Sequence, residues 1–212
     1  MPRRYTDQVF INCPFDEEYR PLFQALVFVV HACGMTARTA LEADNGAEVR
    51  IEKIIRIIRE CCHSVHDISR VELDAQFGLP RMNMPFELGL FLGAQRFGEG
   101  RNRKKTCIIL DGEPYRFQKF LSDIAGQDIR AHRGSAVELI RVVRNALATT
   151  LPPDVLLHSG GTMAARYARF VEDFPLVCDV LGMDSDDLSY RDLSALIGEW
   201  LNTETSTLAR AA

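Results

Sequence analysis

Three motifs that would identify common enzyme classes are missing from this sequence. No G-x-G-x-x-G follows a predicted strand, no Walker loop occurs, and no G-x-S-x-G elbow is present. The first two place backbone N–H groups around phosphates, and the third exposes a serine nucleophile. Their absence disfavours hydride transfer, P-loop nucleotide hydrolysis and serine hydrolysis.

The chain also lacks the signatures of membrane, secreted, metal-binding and nucleic-acid-binding proteins. No apolar run approaches the ~18 residues that a membrane helix needs, and residues 1–5 are not followed by a signal-like apolar core. The six cysteines form no C-x-x-C pair and lie mostly in apolar runs. This pattern predicts buried, reduced thiols, a cytoplasmic location and no metal site. A net charge of −4 does not indicate a nucleic-acid partner.

What is present is ordinary globular material, with 47% hydrophobic and 25% charged residues in a chain of 212. The charge is uneven. From Asp154 onward there are ten acidic and four basic residues, whereas the first 153 residues carry nineteen acids and twenty-one bases. The change follows Leu151-Pro152-Pro153. We therefore predict an α/β domain over residues 1–152 and an acidic helical appendage over residues 153–212.

Short apolar segments alternate with helical patterns through the first of these domains. Strands are predicted at residues 9–11, 35–41, 63–68, 106–110 and 128–132. Helices are predicted at residues 17–33, 51–62, 85–97, 115–124 and 135–149, with further helices around 164–181 and 189–201. Strands that alternate with helices indicate a five-stranded parallel sheet covered by helices on both faces, with the flavodoxin-like strand order 2-1-3-4-5.

Ligands of open parallel sheets bind beyond the carboxyl ends of the strands, so the residues that follow each strand are the candidates. We expect a polar crevice formed by Asn12, Phe15, Asp16, Arg38, Asp67, Ser69, Asn83, Glu87 and Asp111. Arg38 could receive a phosphate there, or could equally pair with Glu42. Asp111 precedes Gly112, a pair typical of turns, so we interpret Asp111 as a turn residue in preference to a ligand-binding residue.

Glu87 is the sharpest candidate. If the helix starts at Pro85, Glu87 lies in its first turn, where the helix dipole favours the ionised carboxylate that nucleophilic catalysis requires. Alternatively, Glu87 only completes a helix cap. Asp67 directly follows an apolar strand, and it could act on a ligand or could cap the next turn.

Two segments together resemble the nucleoside 2-deoxyribosyltransferase family. These are Val65-His66-Asp67-Ile68-Ser69 and, about twenty residues later, Phe86-Glu87-Leu88-Gly89. The opening Val9-Phe10-Ile11-Asn12 with Asp16 is similar to the first strand and loop of TIR domains, which share this topology and in bacteria often hydrolyse NAD. The resemblance covers about residues 8–147.

The resemblance implies that Glu87 is the catalytic carboxylate, that Asp67 contacts the base or ribose, and that Asn12 and Phe15 line the pocket. Arg81 stands where the transferases usually carry an acid, and Asn83 replaces a tryptophan common in TIR enzymes. Without that acid a leaving base cannot easily be protonated, whereas the cationic nicotinamide of NAD needs no proton. Arg81 could pair with a pyrophosphate.

We therefore expect an N-glycosidase that acts on NAD or a related nucleotide, without a cofactor, with a role in bacterial defence or a stress response. The expected partners are a small nucleotide, further copies of the chain, and a regulatory protein. The alternatives are a non-catalytic nucleotide sensor or TIR-like signalling module, and an adaptor that has no ligand.

Overall fold

A computed structural model describes residues 4–42, 45–73 and 78–211, and the side chains of all of these except 205 and 207–211. Five parallel strands form one sheet: β1 (Gln8–Asn12), β2 (Thr36–Thr39), β3 (His63–Asp67), β4 (Thr106–Asp111) and β5 (Ile129–Ala131). Their order is β2-β1-β3-β4-β5. The α/β class, the flavodoxin-like order and the parallel sheet are confirmed.

Within the residues that the structure describes, six α-helices accompany the sheet. They are α1 (Arg20–Ala32), α2 (Arg50–Glu60), α3 (Asn83–Phe97), α4 (Ala136–Ala148), α5 (Gly160–Leu181) and α6 (Tyr190–Ala211). Within the described ranges, no helix combines the length and the apolar composition that crossing a bilayer requires.

The helix predicted at residues 115–124 is wrong. Two short 3-10 turns, Arg116–Lys119 and Ser122–Ile124, occupy this stretch. Tyr115 adopts a left-handed backbone conformation with φ 61°, which prevents a regular helix from starting there. The side chain of Arg116 also donates a hydrogen bond to Asp111, so this segment contacts the end of β4 instead of forming a helix.

Successive side chains of the central strands point alternately toward the two helical layers that cover the sheet. Phe10 of β1 packs with the apolar stripe of α2 and with Phe91 of α3. Ile11 and Val65 pack on the opposite face, with α1 and α4. Because successive side chains of a strand point to opposite faces, His66 belongs with α2 and α3, whereas Asp67 belongs with α1 and α4.

The C-terminal helices cover the outer side of α1. The ring of Phe28 on α1 lies 5.3 Å from Tyr167, 5.6 Å from Phe170 and 6.0 Å from Trp200, measured between centroids. Phe170 is almost completely buried in this cluster. The residues beyond 152 therefore share one hydrophobic core with α1 and α4.

Replacing Phe170 with alanine should lower the free energy of unfolding by about 3–5 kcal/mol, because the cluster cannot close over the cavity that is left. Leu176→Ala, on the exposed side of α5, is the matched control and should change it by less than about 0.5 kcal/mol. Urea denaturation measures both. Equal effects of the two substitutions would show that α5 does not share the core.

Candidate functional site

The strand order reverses between β1 and β3, which is where an open parallel sheet forms its ligand crevice. Three polar residues end the central strands at this edge: Asn12 on β1, Asp67 on β3 and Asp111 on β4. All three are buried. Buried polar side chains usually have hydrogen-bond partners, and these partners determine which of the three groups could still bind a ligand.

Helix α3 begins at Asn83, two residues earlier than expected, and the N–H of Phe86 donates to the carbonyl of Met82 over 3.0 Å. Glu87 is therefore the fifth helical residue and lies beyond the first turn. The dipole effect that we expected fades within that turn. The expectation that the dipole holds Glu87 ionised is wrong.

Burial dominates the electrostatics of Glu87 instead. The residue is only 5% exposed, and desolvation raises the pKa of its carboxyl to about 7. Arg50 at the start of α2 opposes this shift, with its guanidinium 3.7 Å from Glu87 Oε1. At neutral pH both protonation states of Glu87 are populated. A carboxyl with such a pKa can donate a proton, accept a proton or stabilise a positive charge during a reaction.

Asn12 connects the central strands to α3. Its Nδ2 group donates to His66 Nδ1 over 2.8 Å and to the carbonyl of Met84 over 2.9 Å. His66 accepts at Nδ1, so its proton sits on Nε2, and complete burial lowers the pKa of His66 to about 3. The ring is neutral. Asn12 thus holds the first turn of α3 in place, and as folded its amide is not directed at a ligand.

Asp67 lies in a second network on the α1 and α4 side. Its Oδ1 accepts from the N–H of Ser69 over 2.8 Å, and its Oδ2 accepts from the hydroxyl of Tyr19. His132 Nε2 lies 3.0 Å from Oδ2. The N–H of Gly134 donates to His132 Nδ1, so an imidazole proton sits on Nε2, although Nε2 makes an ion-pair contact with Asp67 and no aligned hydrogen bond. The Asp67 side chain is completely enclosed.

Asp67 lies on the α1 and α4 side of the sheet, whereas Glu87 belongs to α3 on the opposite side. Both raise the pKa of Cys13, the buried thiol that follows β1, although desolvation is the larger cause. The expected arrangement, in which both carboxylates line one open cavity, is not seen because Asp67 has no exposed surface. Of the two, Glu87 is the group that retains solvent contact.

Sequence reasoning missed Tyr19 and His132. Tyr19 lies in the loop after β1 and His132 directly follows β5, and both are buried at the carboxyl edge. Applying the strand-end rule to the short fifth strand would have found His132. No local signal marks Tyr19, whose partner is 48 residues away.

Asp111 and Ser69 belong to an ion-pair network at the end of β4. The guanidinium of Arg116 donates to Asp111 Oδ1 from Nε over 2.9 Å, and to the carbonyl of Ser69 over 2.5 Å. Burial raises the pKa of Asp111, and the Arg116 charge opposes the shift. This network ties the loops after β3 and β4 together, as the turn interpretation of Asp111 expects.

Arg38 is already paired. Its guanidinium binds Glu42 and Glu60, the latter over 2.8 Å, and it also donates to Gln8. Gln8 begins β1 and Glu60 ends α2. The guanidinium is therefore directed toward the amino ends of the strands, away from the crevice, and of the two alternatives the pairing with Glu42 is the one observed.

The remaining candidates lie at the mouth of the crevice. Arg81 borders a charged cavity of about 600 Å³ together with Asp16 and Arg70, and Asp16 Oδ1 accepts from Arg70 over 2.9 Å. Asn83 is exposed at the start of α3. Phe15 borders a neighbouring cavity of about 560 Å³. Among the described side chains, no three His, Cys, Asp or Glu residues are grouped as a metal ion would require.

Replacing Asp67 with asparagine should lower the free energy of unfolding by about 2–4 kcal/mol, because an amide N–H would face a hydroxyl or imidazole donor in a dry site. Tyr19→Phe removes one donor and should cost about 1–2 kcal/mol. Asp128→Asn, which breaks an exposed ion pair with Arg130, serves as the control. Urea denaturation at neutral pH ranks the three, and a cost for Asp67→Asn no larger than the control would refute the enclosed network.

Comparison with known proteins adds no family to this description. A scan against protein-family models finds no match for the chain, and a search of curated proteins finds no relative. The structural assignment of the chain is therefore an α/β protein with a flavodoxin-like five-stranded parallel sheet.

Proposed function

We propose that this protein is an N-glycosidase that hydrolyses the bond between base and ribose in NAD or a related nucleotide, with Glu87 as its catalytic carboxylate. The observation that carries the proposal is the position and state of Glu87. It is a buried carboxyl with a pKa of about 7, beside the switch point of the sheet, and it is not consumed by a short salt bridge.

The chemistry suits a cationic substrate. In NAD the nicotinamide ring carries a positive charge, and departure of the neutral ring leaves an oxocarbenium-like ribose that water then captures. Burial destabilises the anionic form of a carboxyl, but a cation in van der Waals contact stabilises that form and lowers the pKa. Substrate binding therefore ionises Glu87, and its carboxylate stabilises the charge that moves onto the anomeric carbon.

Two networks support this role from a distance. Asn12 fixes Met84, three residues before Glu87, and the neutral His66 fixes Asn12. Arg50 keeps a positive charge 3.7 Å from Glu87 and assists its ionisation. Under this proposal Asp67 is a positioning residue that anchors the start of α1 through Tyr19 and does not contact the ribose as the resemblance implies.

Release of free base from NAD, NADP and a panel of nucleosides tests the activity directly. Replacing Glu87 with glutamine should lower kcat by at least about a hundredfold, because the amide cannot carry the balancing charge. Glu52→Gln, on the exposed side of α2, is the matched control and should retain wild-type activity. Full activity of Glu87→Gln would overturn the assignment. The assay should span a range of protein concentrations, because further copies of the chain are among the predicted partners.

The pH dependence follows from the state of Glu87. If the ionised form acts, kcat/KM should rise as pH increases and level off above the pKa of about 7. Arg50→Gln should move this limb to higher pH, because removing the cation raises the pKa of Glu87 further. A rate that falls with pH through the same region would instead identify Glu87 as a proton donor.

Stability should show the opposite dependence on Glu87. Its pKa is raised on folding, so the folded state binds more protons than the unfolded state between about pH 4.5 and 7, and stability falls as pH rises through this window. Glu87→Gln should therefore stabilise the protein at pH 8 by about 1–3 kcal/mol and have little effect near pH 4. Urea denaturation of wild type and Glu87→Gln at the two pH values measures this. If the substitution changes the free energy of unfolding equally at pH 4 and pH 8, the burial of the Glu87 charge is contradicted.

A second candidate function is a non-catalytic nucleotide sensor. The enclosure of Asp67 and the small exposed fraction of Glu87 favour it, since binding alone needs no accessible carboxylate. A nucleotide that raises Tm while no base is released at any protein concentration would support this alternative. The cytoplasmic location, the self-association and the regulatory partner stay predictions.

A further inference from the structure

An aromatic cavity lies between the loop after β1 and the C-terminal helices. It has a volume of about 560 Å³ and is walled by the rings of Phe15, Phe23, Phe174 and Tyr190. The rings of Phe15 and Phe23 meet edge to face at 5.4 Å, and Phe23 lies 6.1 Å from Tyr190. The cavity has the size of a small-molecule site.

Ordinary packing does not explain the exposure of its walls. Phe15 remains 38% exposed although Phe23 beneath it is buried, so the Phe15 ring presents one surface to the cavity. The hydroxyl of Tyr190 donates to the carbonyl of Ala37 over 2.6 Å, which holds the ring as a rigid wall. Two of the four rings come from the segment after residue 152, so the cavity exists only when the C-terminal helices are docked.

Carboxylates dominate the charged lining. Asp16, Glu17 and Asp186 border the cavity, and Arg20 is the one basic residue among its lining side chains. Arg20 is paired with Asp186 over 3.1 Å, and Asp16 is paired with Arg70 from outside the cavity. Within the part of the chain that the structure describes, Glu17 makes no ion pair, so the aromatic cavity has a net negative potential.

We infer that the aromatic cavity, with its aromatic walls and acidic rim, is a binding site for an organic cation carried on a flat or compact apolar group. The faces of aromatic rings attract cations, and a partly desolvated cavity strengthens that attraction. The rim carboxylates add a longer-range attraction for the same charge. The inference rests on the cavity itself and does not require that the protein hydrolyses anything.

Three ligands with one ring and different charges test the inference. 1-Methylnicotinamide is a pyridinium cation, nicotinamide is neutral and nicotinate is an anion, and isothermal titration of the full-length protein measures their affinities. The cation should bind about tenfold tighter than the neutral ring, and the anion should bind most weakly. Rising salt should weaken the cation selectively. Equal affinity for the cation and the neutral ring, or no binding of the cation at millimolar concentration, would overturn the inference.

Matched variants separate the cation–aromatic contact from simple apolar burial. Phe15→Leu keeps an apolar side chain and removes the ring, so it should reduce the preference for the cation severalfold. Glu17→Gln should also reduce that preference by removing the unpaired charge. Phe97→Leu, at a 90% exposed ring outside the cavity, is the control and should bind like wild type. An undiminished preference in both cavity variants would refute the site.

The outcome is separable from that of the proposed hydrolysis. Glu87→Gln should bind 1-methylnicotinamide as wild type does, because Glu87 does not line the aromatic cavity. Cation binding without release of base by any form of the protein would retain the cavity site and refute the hydrolase. Release of base without selective cation binding would do the reverse.

Discussion

Helices cover both faces of the sheet, so the polar side chains that end the central strands are buried. An unpaired polar group in such a place costs about 1–3 kcal/mol, so each must find a partner. Asn12 finds His66 and the first turn of α3, and Asp67 finds Tyr19, Ser69 and His132. Two of these hydrogen bonds reach the starts of helices, because Tyr19 directly precedes α1 and Met84 lies in the first turn of α3.

Glu87 differs from these strand-end groups, which is why it attracts a functional interpretation. Its main electrostatic partner is Arg50 at 3.7 Å, which is too far for a hydrogen bond, and the surrounding burial favours the protonated acid. Asp67, although more deeply enclosed, has donors within reach of both oxygens. The Asp67 carboxylate is thus stabilised by hydrogen bonds within the protein. The Glu87 carboxylate has no such donors among the described residues, so a cationic ligand in contact with it would stabilise its ionised form.

The acidic C-terminal segment is part of the same physical system. Its helices bury the aromatic cluster around Phe28, and the loop between them closes the aromatic cavity at the carboxyl edge. The contact between Arg20 and Asp186 joins that loop to the start of α1. Any ligand of the aromatic cavity therefore contacts both segments of the chain, so binding and docking of the C-terminal helices are thermodynamically linked.

Local patterns in the sequence predict the five parallel strands, most of the helices and the place of Glu87, but not the two 3-10 turns that stand between β4 and β5 in place of a helix. Short apolar runs and helical periodicity predict the strands and most of the helices, because strands of a parallel sheet are buried on both faces and read as continuous apolar runs. They also place Glu87 near the carboxyl edge. The start of α3 was misjudged by two residues, and that small shift moved Glu87 out of the reach of the dipole.

The partners of the polar residues, in contrast, depend on contacts between segments that are far apart in the chain. Tyr19 and His132 reach Asp67 across 48 and 65 positions of the chain, and Arg38 turns to Glu42, Glu60 and Gln8 instead of a phosphate. The pKa of Glu87 likewise reflects atoms from α2 and the surrounding core. Hydrogen bonding and desolvation depend on distances between segments remote in sequence, and local periodicity does not contain those distances.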